Sequence, residues 1–387
     1  MNKPLFQSTL LSWFDQHKRD LPWRRTKDPY KIWVSEIMLQ QTQVATVIPY
    51  YKRWIQQFPT PQAVAEASED NILKAWEGLG YYSRVRNFQQ ACREIVDKYD
   101  GKVPDTLKEI QQLPGIGRYT AGAILSIAYD QAVPLVDGNV IRVLSRLFAI
   151  RKDPKKNSEL FWELAESLVP QQSAGDFNQA LMELGATVCT PVNPACLICP
   201  IGKFCQAKKQ GIQNRLPFAP QRQKSQVILL ASALIQKNGK ILLCRRENRA
   251  HLKGMWEPPT VLLIHGEKAE LKLADYFAQN RGAKIKISGK PRLLRTTRTH
   301  YRLHFQLFQA EFRSGSIVGN SRTTNHEQQT TVSRQLGYPT DLSSAQWIPI
   351  EQFSILPLPG VWAKHFSKFV TIQSSGLSCQ GSVVSCY

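Results

Sequence analysis

The chain has 387 residues, 42% of them hydrophobic, and carries 50 Lys and Arg against 30 Asp and Glu, a formal net charge of +20. That length exceeds one ordinary core, so two or more domains are expected, and the positive excess points to a polyanionic partner, with nucleic acid favoured over a membrane surface because no basic amphipathic helix with an aromatic lipid-facing stripe stands out. No run of about 18 apolar residues is present, which excludes a membrane-spanning helix, and "MNKPLFQSTLLSWFDQHKRD" has neither an apolar core nor a small-residue cleavage site, so a secreted product is not expected.

Residues 1–206 read as mostly helical, almost without strand-like alternation. In "DPYKIWVSEIMLQQTQVATVIPYYKRWIQQF", Asp28 suits an N-cap and Pro29 the first helical position. Trp33, Ile37, Gln40, Gln41 and Val44 then continue at helical spacing. "NILKAWEGLG" predicts a helix closed by Gly78 or Gly80, and "TAGAILSIAY" and "NVIRVLSRLFAI" predict two more. Between helical segments lies "LPGIGRYTAG", residues 113–122. Gly115 and Gly117 let backbone N–H groups approach an incoming group, and the following helix turns its positive end the same way. Such a turn can hold a phosphate without reading sequence. In "PLVDGNVIRV", Asp137 either caps a helix or stands as a carboxylate at the mouth of a groove.

Half of the eight cysteines fall in "CTPVNPACLICPIGKFC", with C-x6-C-x2-C-x5-C spacing over residues 189–205. Disulfides need an oxidising compartment. Four thiolates, Cys189, Cys196, Cys199 and Cys205, suit zinc or an iron–sulfur cluster. Zinc sites more often show two tight pairs separated by a longer loop. This compact loop has one tight pair, which favours the cluster and leaves zinc as the alternative.

The texture changes after residue 206. Residues 207–225, "AKKQGIQNRLPFAPQRQKS", are basic and proline-containing and read as a linker. In "VILLASALIQKNGKILLCRR", two apolar runs joined by Asn238-Gly239 predict a β-hairpin. "AELKLADYFAQNRG" predicts a helix and "THYRLHFQLFQAEF" a strand. Residues 226–370 therefore read as a mixed α/β domain, and residues 371–387 as a disordered tail.

Taken together, the L-P-G-x-G hairpin, the aspartate twenty residues after Gly117, and the cysteine spacing resemble the endonuclease III superfamily of base-excision glycosylases. The resemblance covers essentially all of residues 1–206 and implies an all-α helix-hairpin-helix fold with a 4Fe–4S cluster on the four cysteines. Bifunctional members carry a lysine two residues after the second glycine; here that position is Tyr119. A phenol cannot form a Schiff base, so hydrolysis with weak or no lyase activity is expected. "VSEIMLQQTQV" resembles the adenine DNA glycosylase family, known as MutY, in which the glutamate at Glu36 is the general acid. The apolar neighbours Val34, Ile37, Met38 and Leu39 would raise its pKa as that role requires. The resemblance further implies that Asp137 stabilises the cationic sugar, with Tyr119 and Asn139 orienting the assembly. It makes Gln41 a stack-filling residue, Tyr81 an intercalating aromatic, and Trp23, Arg24 and Gln179 pocket residues.

The second domain resembles a Nudix fold, including "GMWEPP" at residues 254–259. The glutamate cluster that would hold magnesium is missing from "GEKAELKLADYFAQNRGAK", so nucleotide hydrolysis is not expected. In the adenine glycosylase family such a domain reads 8-oxoguanine through an aromatic–Ser/Thr–His loop. The match here is Arg298-Thr299-His300, with Thr299 and His300 fitting and Arg298 departing from the aromatic. The expected protein is thus multidomain, all-α then α/β. It would be a monomer acting in the cytoplasm, at the nucleoid, on double-stranded DNA carrying A·8-oxoguanine or A·G, without a membrane partner. A relative acting on T·G and a non-catalytic damage-binding protein are the alternatives. Glu36 weighs against the first, since a pyrimidine gives a general acid less to protonate, and the intact pair Glu36 and Asp137 weighs against the second.

Overall fold

The structure is a computed structural model and describes residues 1–218, 225–246, 252–264, 266–298, 301–315, 338–354 and 356–366. The chain divides into two compact units: residues 1–67 with 86–222, and residues 68–85 with 223–387. The helices to residue 209 are α1 (Lys3–His17), α2 (Pro29–Leu39), α3 (Val44–Gln57), α4 (Pro61–Glu66), α5 (Glu69–Ala75), α6 (Ser83–Tyr99), α7 (Leu107–Ile110), α8 (Arg118–Tyr129), α9 (Gly138–Leu147), α10 (Ser158–Leu168), α11 (Ala174–Thr187) and α12 (Gln206–Lys209).

In the first unit, buried residues of α1, α8, α9, α10 and α11 form one core around Phe6, Leu10, Val140, Leu144, Phe161, Phe177 and Leu181. Asp28 caps α2, accepting from the N–H groups of Tyr30 and Lys31, and Pro29 occupies the first turn, as the sequence leads one to expect. The helix does not continue to Val44. It stops at Leu39, and Gln41 takes a left-handed φ of 58°. The apolar spacing carries across the break because Val44 opens a second helix with its own buried face, Val47, Tyr51 and Trp54. Similarly, α5 ends at Ala75, before either predicted glycine. Residues 206–216 are not free spacer: Ala207 and Leu216 are buried, and Arg146 Nε donates to the Leu216 carbonyl.

The second unit holds β1 (Gln226–Lys237), β2 (Lys240–Arg245), β3 (Trp256–Glu257), β4 (Thr260–Leu263), α13 (Ala269–Arg281), β5 (Lys284–Arg298), β6 (Tyr301–Ser314) and β7 (Ala345–Pro349). The sheet path is β3-β2-β1-β6-β5, with β4 paired to β1 and β7 to β2. Only the β1–β6 pairing is parallel among these ladders. Asn238 and Gly239 both have positive φ, 48° and 70°, which makes the tight β1–β2 hairpin. Leu273 and Phe277 of α13 cover one face, while Trp362 and Phe366 belong to the core cluster of the other. The long strand β5, with its glycine and proline, was not legible as one element. Thr299, His300 and residues 371–387 lie outside the described residues.

Candidate active site

A cavity of about 700 Å³ opens in the first unit. Its lining includes Trp23, Arg24, Glu36, Gln41, Gly115, Gly117, Tyr119, Asp137, Asn139 and Gln179, so sequence positions spread over 157 residues meet in one place. Glu36 comes from the middle of α2, whose neighbours Trp33, Val34, Ile37 and Met38 are buried. The residue is only 5% exposed. Burial is the main cause that lifts its carboxyl to about 7, with the charge of Asp137 adding and the Tyr119 hydrogen bond and Arg24 opposing. Tyr119, one residue inside α8, donates its hydroxyl to Glu36 Oε2 at 2.6 Å. Burial, then the two carboxylates, keeps the phenol well above its ordinary pKa, so it acts as a neutral donor.

Asp137 does both jobs its sequence position suggests. It caps α9, with Oδ1 accepting the Val140 N–H at 2.7 Å, and it faces the cavity. Its Oδ2 accepts from Asn139 Nδ2 at 2.8 Å. Burial raises its pKa, while the bonds from Val140 and Asn139 and the charge of Arg142 pull the other way. Asp137 thus has donors from both Val140 and Asn139 to temper the effect of burial, while Glu36 has the single donor Tyr119 in an apolar stretch of α2.

The hairpin turn stands at the rim. Gly115 has φ +79°, and an added Cβ would sit 2.7 Å from Asn87 Cβ, so no side chain fits there. Gly117 is the N-cap of α8 and leaves that helix end bare. Both glycines are exposed, as phosphate contact through N–H groups requires. Gln41 is exposed on the lining, placed by the same left-handed turn that breaks the helix. Trp23 is mostly core: it is buried and packs edge-on against Tyr51 at 5.4 Å. Gln179 is buried on α11 and presents to the cavity. Tyr81 does not line this cavity; it belongs to the other unit.

Four supporting residues were not legible. Arg142 donates to Asn139 Oδ1, the Gly185 carbonyl and the Cys189 carbonyl, each at 2.7 Å. At Gly185 a Cβ would stand 2.6 Å from Asn139 Cβ, so α11 can approach the start of α9 only with glycine there. Glu183, 1% exposed, takes a bidentate bond from Arg19 and a bond from Arg24 Nη2 at 2.8 Å. Burial alone would push its carboxyl up, but the bonds from Arg19 and Arg24 outweigh it and hold it at about 2. The spacing of Arg142, one helical turn after Asn139, was the available signal; Glu183 and Arg19 gave none, since their partners lie 164 residues apart.

Cys189, Cys196, Cys199 and Cys205 are all partly exposed. Burial raises Cys199 to about 11, a bond from the Ile201 N–H opposes it, and each of the other three thiols adds to the rise, so the four sulfurs lie within electrostatic reach of one another. Arg146 Nη1 lies 3.2 Å from Cys189 Sγ and also donates to the Thr190 carbonyl, fixing the loop's start. Among the described residues no three His, Cys, Asp or Glu converge on a single ion. The donor set, four neighbouring sulfurs with N–H bonds to Cys199 and Cys205, fits a thiolate-bound cluster.

Residues 34–167 match the family described as HhH-GPD superfamily base excision DNA repair protein, and residues 231–368 match the NUDIX domain. The adenine DNA glycosylase of Rattus norvegicus is 43% identical over 331 residues, covering 70% of this chain and 64% of that protein. The adenine DNA glycosylase of Buchnera aphidicola subsp. Acyrthosiphon pisum (strain APS) is 39% identical over 257 residues, covering 65% of this chain and 71% of that protein. A solved thermostable thymine-DNA glycosylase is 32% identical with a TM-score of 0.50, covering 54% of this chain and 97% of that structure. The matched region spans just under two thirds of the rat relative's length.

Proposed function

The chain belongs to the adenine DNA glycosylase family, and from that premise we propose that it hydrolyses the N-glycosidic bond of adenine in double-stranded DNA, as a base-excision step on adenine paired with 8-oxoguanine or guanine. The observation that carries this reading is the buried Glu36 carboxyl, lifted to about 7 and facing the same cavity as Asp137.

The target nucleotide leaves the stack at a cost of about a few kcal/mol and its base enters the cavity. Glu36 donates a proton to a ring nitrogen of adenine, which lets the base depart with the bonding electrons. Positive charge grows on the sugar, and the Asp137 carboxylate, held by Val140 and Asn139, stabilises it. Glu36, now ionised, takes a proton from the water that attacks the anomeric carbon. Two carboxyl groups in unlike environments divide the acid and anionic roles, as in glycoside hydrolysis. Tyr119 keeps Glu36 oriented and offers no amine, so the reaction ends at an abasic site. Cys189, Cys196, Cys199 and Cys205 would hold a 4Fe–4S cluster, which would cross-link the loop of residues 189–205 through its four thiolates. Thr299 and His300 read the base opposite the adenine. The protein works as a monomer on chromosomal DNA, in the cytoplasm.

A second reading, thymine removal from T·G, draws on the likeness to the thymine-DNA glycosylase. Glu36 weighs against it, since a pyrimidine gives a general acid less to protonate. The deciding experiment is cleavage of A·8-oxoguanine, A·G, T·G and A·T duplexes, each with and without alkali. Adenine release requiring alkali for strand scission is expected; release of thymine alone would overturn the assignment.

A further inference from the structure

Tyr81 projects from the second unit in a backbone conformation that a bulky side chain disfavours. It is 47% exposed and has φ 47°, following Gly78 at 99° and Gly80 at 70°. Such a residue persists only where its surroundings over-determine it. Arg84 supplies that constraint. Its Nη2 donates to the carbonyls of Leu79 and Gly80, both at 3.1 Å, and its backbone N–H donates to the Tyr81 carbonyl at 2.9 Å. Its guanidinium carbon lies 5.3 Å from the ring centre of Trp76 and 5.7 Å from that of Tyr81. Trp76 is fully buried and donates its indole N–H to the Gly80 carbonyl at 3.0 Å. The guanidinium therefore lies over one buried ring and one exposed ring, while one of its nitrogens fastens the peptide between them. A lysine, a point charge without a plane, cannot make that set of contacts.

We propose that Arg84 is a positioning residue that holds Tyr81 outward as the wedge entering the base stack when the target nucleotide leaves. This rests on the reading of the chain as an enzyme of duplex DNA. The test uses the full chain with Arg84→Met, Arg84→Lys, Tyr81→Ala and the double variant Tyr81→Ala with Arg84→Met. Single-turnover adenine release from an A·8-oxoguanine duplex is measured beside the fluorescence of 2-aminopurine placed next to the target, which reports unstacking on binding. Tyr81→Ala and Arg84→Met are each expected to slow release by about ten- to a hundredfold, the worth of one aromatic–base stack, and to lose the fluorescence rise. Arg84→Lys falls between them and wild type, and carries the test if the methionine variant does not fold. The double variant should be no slower than Tyr81→Ala alone, because both changes remove one device. Effects that multiply, or an Arg84→Met protein with wild-type rate and fluorescence, would overturn the proposal. A wild-type protein that unstacks 2-aminopurine without releasing adenine would sink the enzymatic reading instead, and the fluorescence of the variants would still decide the role of Arg84.

Discussion

Tyr119 and Glu36 lie 83 residues apart in sequence and meet through a 2.6 Å hydrogen bond from phenol to carboxylate. The bond stabilises the ionised form of Glu36 against burial, which favours the neutral one. The pair therefore sets the pH at which the acid can act.

Base removal should fall as pH rises through about 7, where Glu36 gives up its proton. Tyr119→Phe removes the bond that lowers the Glu36 pKa, so this alkaline limb should move to higher pH. A pH–rate profile under single-turnover conditions checks both. A limb that stays in place in the phenylalanine variant would mean the hydroxyl does not govern Glu36.

Glu36→Gln should slow adenine release by about a hundredfold or more while leaving DNA binding intact. It should also change stability, and the sign can be worked out. The folded pKa of Glu36 is about 7 against an ordinary value of 4.5, so its neutral burial favours folding fully below about pH 4.5. That contribution is lost as pH rises through about 7, because the unfolded chain ionises first. At pH 8 the glutamine variant should be the more stable, by at most about 3 kcal/mol. Thermal or urea unfolding at pH 5 and pH 8 gives the comparison.

Tyr119→Lys should introduce some strand cleavage, since an amine at this position would face the cavity that holds Asp137. Borohydride trapping of a protein–DNA adduct measures it. The absence of any adduct above wild type would show that position 119 does not reach the sugar.

Gly185→Ala should cost about 1–3 kcal/mol of stability by overpacking and slow base removal beyond that, because the new methyl displaces Asn139 from Asp137. Melting temperature and single-turnover rate are read together on the purified variant. A rate unchanged at a temperature where the protein is folded would show that Asn139 is not needed in place.

Thr299→Ala with His300→Ala should reduce the preference for A·8-oxoguanine over A·G by about ten- to a hundredfold, the worth of one or more lost base contacts. An unchanged ratio of the two rates would move lesion reading elsewhere in the chain.

Several features were determined by the sequence alone because their physics is local. Asp28 with Pro29 starts a helix, Asn238-Gly239 turns a hairpin, and Gly115 bends the chain where no side chain fits. The spacing of the four cysteines is likewise a local fact, and so is the apolar setting of Glu36. The break at Gln40–Gln43 was hidden, because apolar periodicity is satisfied equally by one long helix and by two helices that each bury a face. The site's electrostatics could be decided only in three dimensions. Whether Glu36 is an acid near neutrality depends on its burial, on Tyr119 and on Asp137. Whether Asn139 stays on Asp137 depends on Arg142 and on the bare Cα of Gly185. Dielectric, distance and steric approach are properties of neighbours in space, and the chain order does not specify which residues those will be.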